Sequence, residues 1–176
     1  MRFRRIPRMM LAVPLAGLFL LGVATSATAT PPDREPVDLP PGTSFTLTDT
    51  LGGDPCGFEV QLLVVGNKEV ATTFAQKAGT TSIHVTGTLK VRLTTDAGRS
   101  VDLNISGPTH LTINADGSVT QIALGRALWV FDPGVGPGLP RLAVISGRTV
   151  STFDPGFTLV SVSGHVEDIC SALAGA

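Results

Sequence analysis

The chain has 176 residues, 13 basic and 14 acidic side chains, 43% hydrophobic residues and two cysteines. Its length fits a single domain behind any leader, and its apolar fraction is enough for a core of ordinary size. No basic run and no interleaving of basic with aromatic residues is present, so the positive face that nucleic acid or an anionic membrane would need is missing and neither partner is expected.

Residues 1–29 have the layout of a cleaved secretory signal peptide. Arg2, Arg4, Arg5 and Arg8 form a positive start, Met9 to Val23 is uncharged and mostly apolar, and small residues follow from Ala24 to Thr30. Ala27-Thr28-Ala29 supplies a small-x-small site, which places cleavage after Ala29, with Ala27 as the alternative. A membrane anchor is the competing reading, but the apolar run of about 15 residues is shorter than the ~20 a spanning helix needs. No cysteine lies at the cleavage region for a lipid anchor, and the surroundings of Arg4-Arg5 do not match a twin-arginine signal. The expected address is therefore secreted, with no stable membrane anchor after cleavage. Taking the four leader arginines from the 13 basic residues leaves nine against 14 acidic ones, a net charge of −5.

Residues 30–44 include Pro31-Pro32, Pro36 and Pro40-Pro41-Gly42 and read as an extended linker, because proline donates no ladder hydrogen bond. Residues 45–176 then form a single β domain. Cys56 and Cys170 near its two ends meet oxidising conditions outside the cell and are expected to pair. Catalytic thiols or a zinc site are the alternatives, and no Cys-x-x-Cys spacing supports either.

From Phe58 the apolar residues alternate with period two, the signature of strands with one buried face. Phe58, Val60, Leu62 and Val64 share a face, as do Ile83, Val85, Leu89, Val91 and Leu93. Val101, Leu103 and Ile105 continue the pattern, then Leu111 and Ile113, Ile122 and Leu124, and finally Leu159 with Val160, Val162 and Val166. Helical spacing is confined to the end, where Glu167 to Ala174 can form a short helix. Gly66-Asn67, Asp96-Ala97-Gly98, Asn114-Ala115-Asp116-Gly117 and Ser146-Gly147 supply hairpin-turn residues, so consecutive strands should run antiparallel. Phe131-Asp132-Pro133-Gly134 recurs as Phe153-Asp154-Pro155-Gly156, and turn chemistry explains this more economically than an internal repeat. Gly87, Gly107, Gly125 and Gly164 sit inside strand-like runs, where glycine marks a bulge or sharp bend. The fold expected is an all-β, antiparallel up-and-down barrel of eight or nine strands, with a two-sheet sandwich as the alternative.

Cys56-Gly57-Phe58-Glu59-Val60, the Gly125-Arg126 step before an apolar strand, the Phe-Asp-Pro-Gly turn and the late Cys170 resemble a group of small, uncharacterised, exported actinobacterial β proteins. The resemblance spans Cys56 to Leu173. It implies an extracellular β domain with a disulfide between those two cysteines, and it brings no activity or catalytic residues.

Candidate chemistry rests on individual side chains. His84, His110 and His165 fall at polar positions of their strands, with Glu59 in similar phase. Were that phase to line a barrel interior, three imidazoles and a carboxylate would converge as a metal site. Separations of 26 and 55 residues do not enforce this, and histidines on a solvated face are the plain alternative. Arg126 interrupts the apolar positions of its strand. It either turns outward at a bulge at Gly125 or pairs with a carboxylate in a cavity, Asp102 and Glu59 being the candidate partners. No nucleophile elbow, phosphate loop or metalloprotease helix is present, and no motif calls for a cofactor or a metal. Trp129, the only tryptophan, reads as core. An extracellular module that binds a small molecule or a protein is the function expected, with a barrel-type enzyme carrying a polar or metal-containing interior site as the alternative.

Overall fold

The structure is a computed structural model that describes residues 32–49, 52–75, 79–154 and 156–175. The signal peptide expected at 1–29 lies outside the described residues. Strands β1 (Asp33–Pro36), β2 (Ser44–Thr46), β3 (Val60–Asn67) and β4 (Val70–Ala75) come first. They are followed by β5 (Thr81–Thr86), β6 (Leu89–Thr95), β7 (Ser100–Asn104) and β8 (Thr109–Ile113). Three longer strands, β9 (Val119–Val130), β10 (Leu142–Phe153) and β11 (Phe157–Asp168), lead into helix α1 (Ile169–Ala174).

Every pairing is antiparallel. One sheet runs β1-β4-β5-β8-β9-β10-β11 and the other β2-β3-β6-β7. The sheets do not close into the barrel of eight or nine strands; they form the alternative expected from the sequence, an open, sandwich-like pair of antiparallel sheets. The linker expected at 30–44 is also structured in part. Asp33 to Pro36 pair with Thr73 to Val70 as an edge strand, a position where proline's missing N–H is tolerated.

The bends explain why one meander makes two sheets. β3 and β4, β5 and β6, and β7 and β8 are three long runs, each interrupted by two to four residues and each passing from one sheet to the other. On the last three strands the interruption is a line of glycines, for Gly125 opposes Gly147 and Gly147 opposes Gly164. A Cβ on Gly147 would stand 2.0 Å from the Ser163 carbonyl oxygen, and one on Gly164 2.3 Å from that of Ser146. Only glycine permits this approach.

The bend is sharp enough to fold β9–β11 onto themselves. Trp129 is ten residues from Val119, or ~33 Å of extended strand. Yet its ring centroid lies 6.3 Å from that of Phe157, which pairs with Phe153 at the level of Val119.

Two cores result, one on each face of the bent strands. In the first, Val60, Leu62 and Val64 of β3 and Leu89, Val91 and Leu93 of β6 meet Leu128, Leu142 and Val144, and α1 adds Ile169 and Leu173. The side chains of Leu62, Leu93 and Leu142 are completely enclosed, each such leucine contributing about 1.5–3 kcal/mol over its exposed state. The second core lies inside the fold of β9–β11. It contains Ala123, Trp129, Phe131, Ala143 and Ile145, closed over by Leu139, Phe157, Leu159 and Val162. Trp129 and Phe131 stack there at 5.8 Å.

The expected phase fails in β9. Gln121 and Ala123 are buried while Ile122 and Leu124 are half-buried on the outer side, because it is the face shared by Gln121, Ala123 and Trp129 that turns to the inside of the fold. The expected terminal helix is present as α1. Asp168 caps it by accepting the Ser171 N–H at 3.2 Å, and Gly175 ends it at φ +75°.

Candidate functional site

Cys56 and Cys170 are joined as a disulfide with Cα atoms 5.2 Å apart, tying α1 to the segment before β3. No described helix is long and apolar enough to cross a membrane. The other candidate residues scatter over several elements.

His84 and His110 are cross-strand partners on β5 and β8, with ring centroids 4.1 Å apart. Phe74 packs on His84 at 4.9 Å, and the Ser82 hydroxyl lies 3.3 Å from His84 Nε2. Burial, with the His84 imidazole as a smaller contribution, holds His110 below the ordinary histidine range. His165 stays apart on β11, opposite Ser146 and one strand from Arg126. Among the described residues no group of three or more histidine, cysteine, aspartate or glutamate side chains is placed to hold a metal ion. The register therefore unites two of the three histidines, on the outer face of the seven-stranded sheet.

Arg126 takes the outward course. It follows Gly125, at φ +77°, and its guanidinium pairs with Glu167 on β11 at 3.2 Å, both side chains being exposed. Neither expected partner reaches it. Asp102 makes a two-pronged pair with Arg92, whose hydrogen bonds hold its carboxyl below the usual range. Glu59 accepts a hydrogen bond from Gln61 Nε2 at 2.6 Å.

Two polar features were not anticipated from the sequence. Glu69, in the break between β3 and β4, is only 4% exposed; burial pushes its carboxyl up to about 7, and its Oε2 has no hydrogen-bond partner among the described residues. Asp49 is also buried, but it accepts hydrogen bonds from Arg141 and from the Gly53 N–H, which ties Asp49 and Gly53 to the residue that precedes β10. An open groove of about 500 Å³ runs along residues 35–41 and is closed by Asn67. The Asn67 amide donates to the Val37 and Leu39 carbonyls, so it holds the groove wall in place.

The backbone at the sheet edges distinguishes one element from the rest. A free edge presents unpaired N–H and C=O groups, and proteins blunt such edges with short length, charge or proline. β1 has four residues, Asp-Arg-Glu-Pro, β2 has three, and β7 has five including Asp102. β11 has twelve, ends the seven-stranded sheet, and reads Phe-Thr-Leu-Val-Ser-Val-Ser-Gly-His-Val before its first acidic residue. No family model, curated protein or solved structure matches this chain. The edge must be read from its own chemistry.

Along β11, Ser161 to Asp168 pair with Val150 to Ala143 without interruption. A bulge precedes that stretch and leaves Val160 without a cross-strand partner and 58% exposed. The bulge twists the first part of the edge, while the eight residues after it pair without a gap on either side of the bend at Gly164. Arginine, lysine and proline are absent from the strand.

Proposed function

We propose that this chain is an exported binding module that takes up an extended segment of a partner protein as an added strand along β11. The observation that carries this reading is the contrast among the sheet edges: three are short or charged, and the fourth is long, paired without a gap from Ser161 to Asp168 across the bend at Gly164, and nearly uncharged. Strand addition draws affinity from main-chain hydrogen bonds and specificity from alternate side chains. Val162 and Val166 face the second core, while Ser161, Ser163 and His165 are exposed and available to read a partner's side chains. The export half of the proposal is supported by the leader-like first 29 residues, by the disulfide, and by the resemblance to small exported actinobacterial β proteins.

The test uses the oxidised chain from residue 30 onward and a short peptide of alternating threonine and valine, with a copy carrying a central proline as control. Amide NMR should place the peptide along Ser161 to Glu167, and the proline copy should not bind. Substituting Val160→Lys together with Ser163→Lys should abolish binding while leaving the fold intact, since both side chains are exposed. Shifts confined to other strands, or equal binding by the proline copy, would sink the proposal.

A further inference from the structure

The inside of the folded β9–β11 sheet carries a second feature, independent of the β11 edge. Gln121 and Trp129 are 2% exposed and Ser151 is fully buried. Gln121 Nε2, Trp129 Nε1 and Ser151 Oγ have no hydrogen-bond partner among the described residues.

Their positions are related. Gln121 and Ser151 are cross-strand partners on β9 and β10. Gln121 precedes Gly125 by four residues, Trp129 follows it by four, and Ser151 follows Gly147 by four. Folding the sheet along the glycine line therefore lays the row that holds Trp129 over the row that holds Gln121 and Ser151. The contact of the Trp129 ring with Phe157 shows that the two halves close on each other.

A buried polar group left unpaired is costly, and three inside one fold are a heavy burden for a small domain. The amide nitrogen and the indole nitrogen only donate, whereas the serine hydroxyl both donates and accepts. All three are neutral, which disfavours a charged occupant, since a buried charge needs a counter-charge.

We propose that the folded sheet encloses a binding site for a small uncharged oxygen acceptor, held by Gln121, Trp129 and Ser151. A water molecule meets the requirement: it accepts from the amide and the indole and donates to the serine hydroxyl, and about three such bonds are usual for a buried water. A carbonyl compound of a few atoms would use the same two donors.

The test is a high-resolution crystal structure of the oxidised protein, with native mass spectrometry of the same preparation. A compact density peak within hydrogen-bonding distance of the three atoms, with no added mass, identifies water. Elongated density with a discrete added mass identifies a carbonyl compound. Direct packing of the two halves with no density between them overturns the proposal. Thermal unfolding gives a second measure: with the site filled, Ser151→Ala and Gln121→Met each lower the midpoint, because the occupant loses a partner. A rise in the midpoint for Gln121→Met would show that the amide has nothing to bind, and would overturn the proposal as well.

Discussion

Glu69 shows what a single buried carboxyl does to the pH response of a domain. Its folded pKa of about 7 lies above the ordinary 4.5, so the folded chain holds a proton that the unfolded chain releases throughout that interval. Stability should therefore fall as pH rises from about 4.5 to about 7 and level off above that, the loss reaching up to ~3 kcal/mol. Glu69→Gln keeps the shape and removes the ionisation. Urea unfolding at pH 8 should find the variant more stable than the parent, and at pH 4 the two should coincide. Equal stability at pH 8 would mean that the carboxylate is solvated or paired. Nothing in the sequence marks Glu69, because its burial depends on the break between β3 and β4 that Gly87 packs against, where a Cβ would lie 2.6 Å from the Glu69 Cα. His84 and His110 are hidden from the sequence for a similar reason. Their adjacency is a matter of register between β5 and β8, and 26 residues of chain separate them.

Strands are what the sequence reveals best here. Period-two alternation marks most of β3, β6 and β7, and Val60, Leu62, Val64, Leu89, Val91, Leu93 and Leu103 are all buried as that pattern requires. The alternation does not reveal which face of a strand is inside once the strand doubles back. Ile122 and Leu124 have the apolar character of core residues, yet the inner face of β9 is that of Gln121, Ala123, Ala127 and Trp129. The interior glycines did announce bends, and their cross-strand alignment turns several local kinks into one crease. Gly147→Ala should destabilise the protein by roughly 1–3 kcal/mol, because the new methyl must displace the Ser163 carbonyl or open the crease. Gly66→Ala, which meets nothing within 4 Å, should change stability by no more than about 0.5 kcal/mol. Guanidinium midpoints for the two variants would separate a packing effect from a general intolerance of substitution.

At the scale of the whole molecule, three runs of chain pass between the sheets and one disulfide closes the ends. Replacing Cys56 and Cys170 with serine should lower stability by about 2–5 kcal/mol, with the closed loop of 114 residues at the long end of what chain entropy rewards. Calorimetry of the oxidised protein and the double serine variant measures this directly, and an unchanged midpoint would show that the two sheets hold the ends together without the bridge. That bridge also alters the meaning of a broken backbone. Every strand from β3 to β11 lies on a covalent ring, and among the described elements β1, β2 and the end of α1 lie outside it. A protease that cuts once in the Gly-rich turn of residues 132–141 opens the ring without releasing a fragment, and each piece stays hydrogen-bonded to strands of the other. A single nick there is thus a change of connectivity, and the nicked form should separate into two pieces only after reduction.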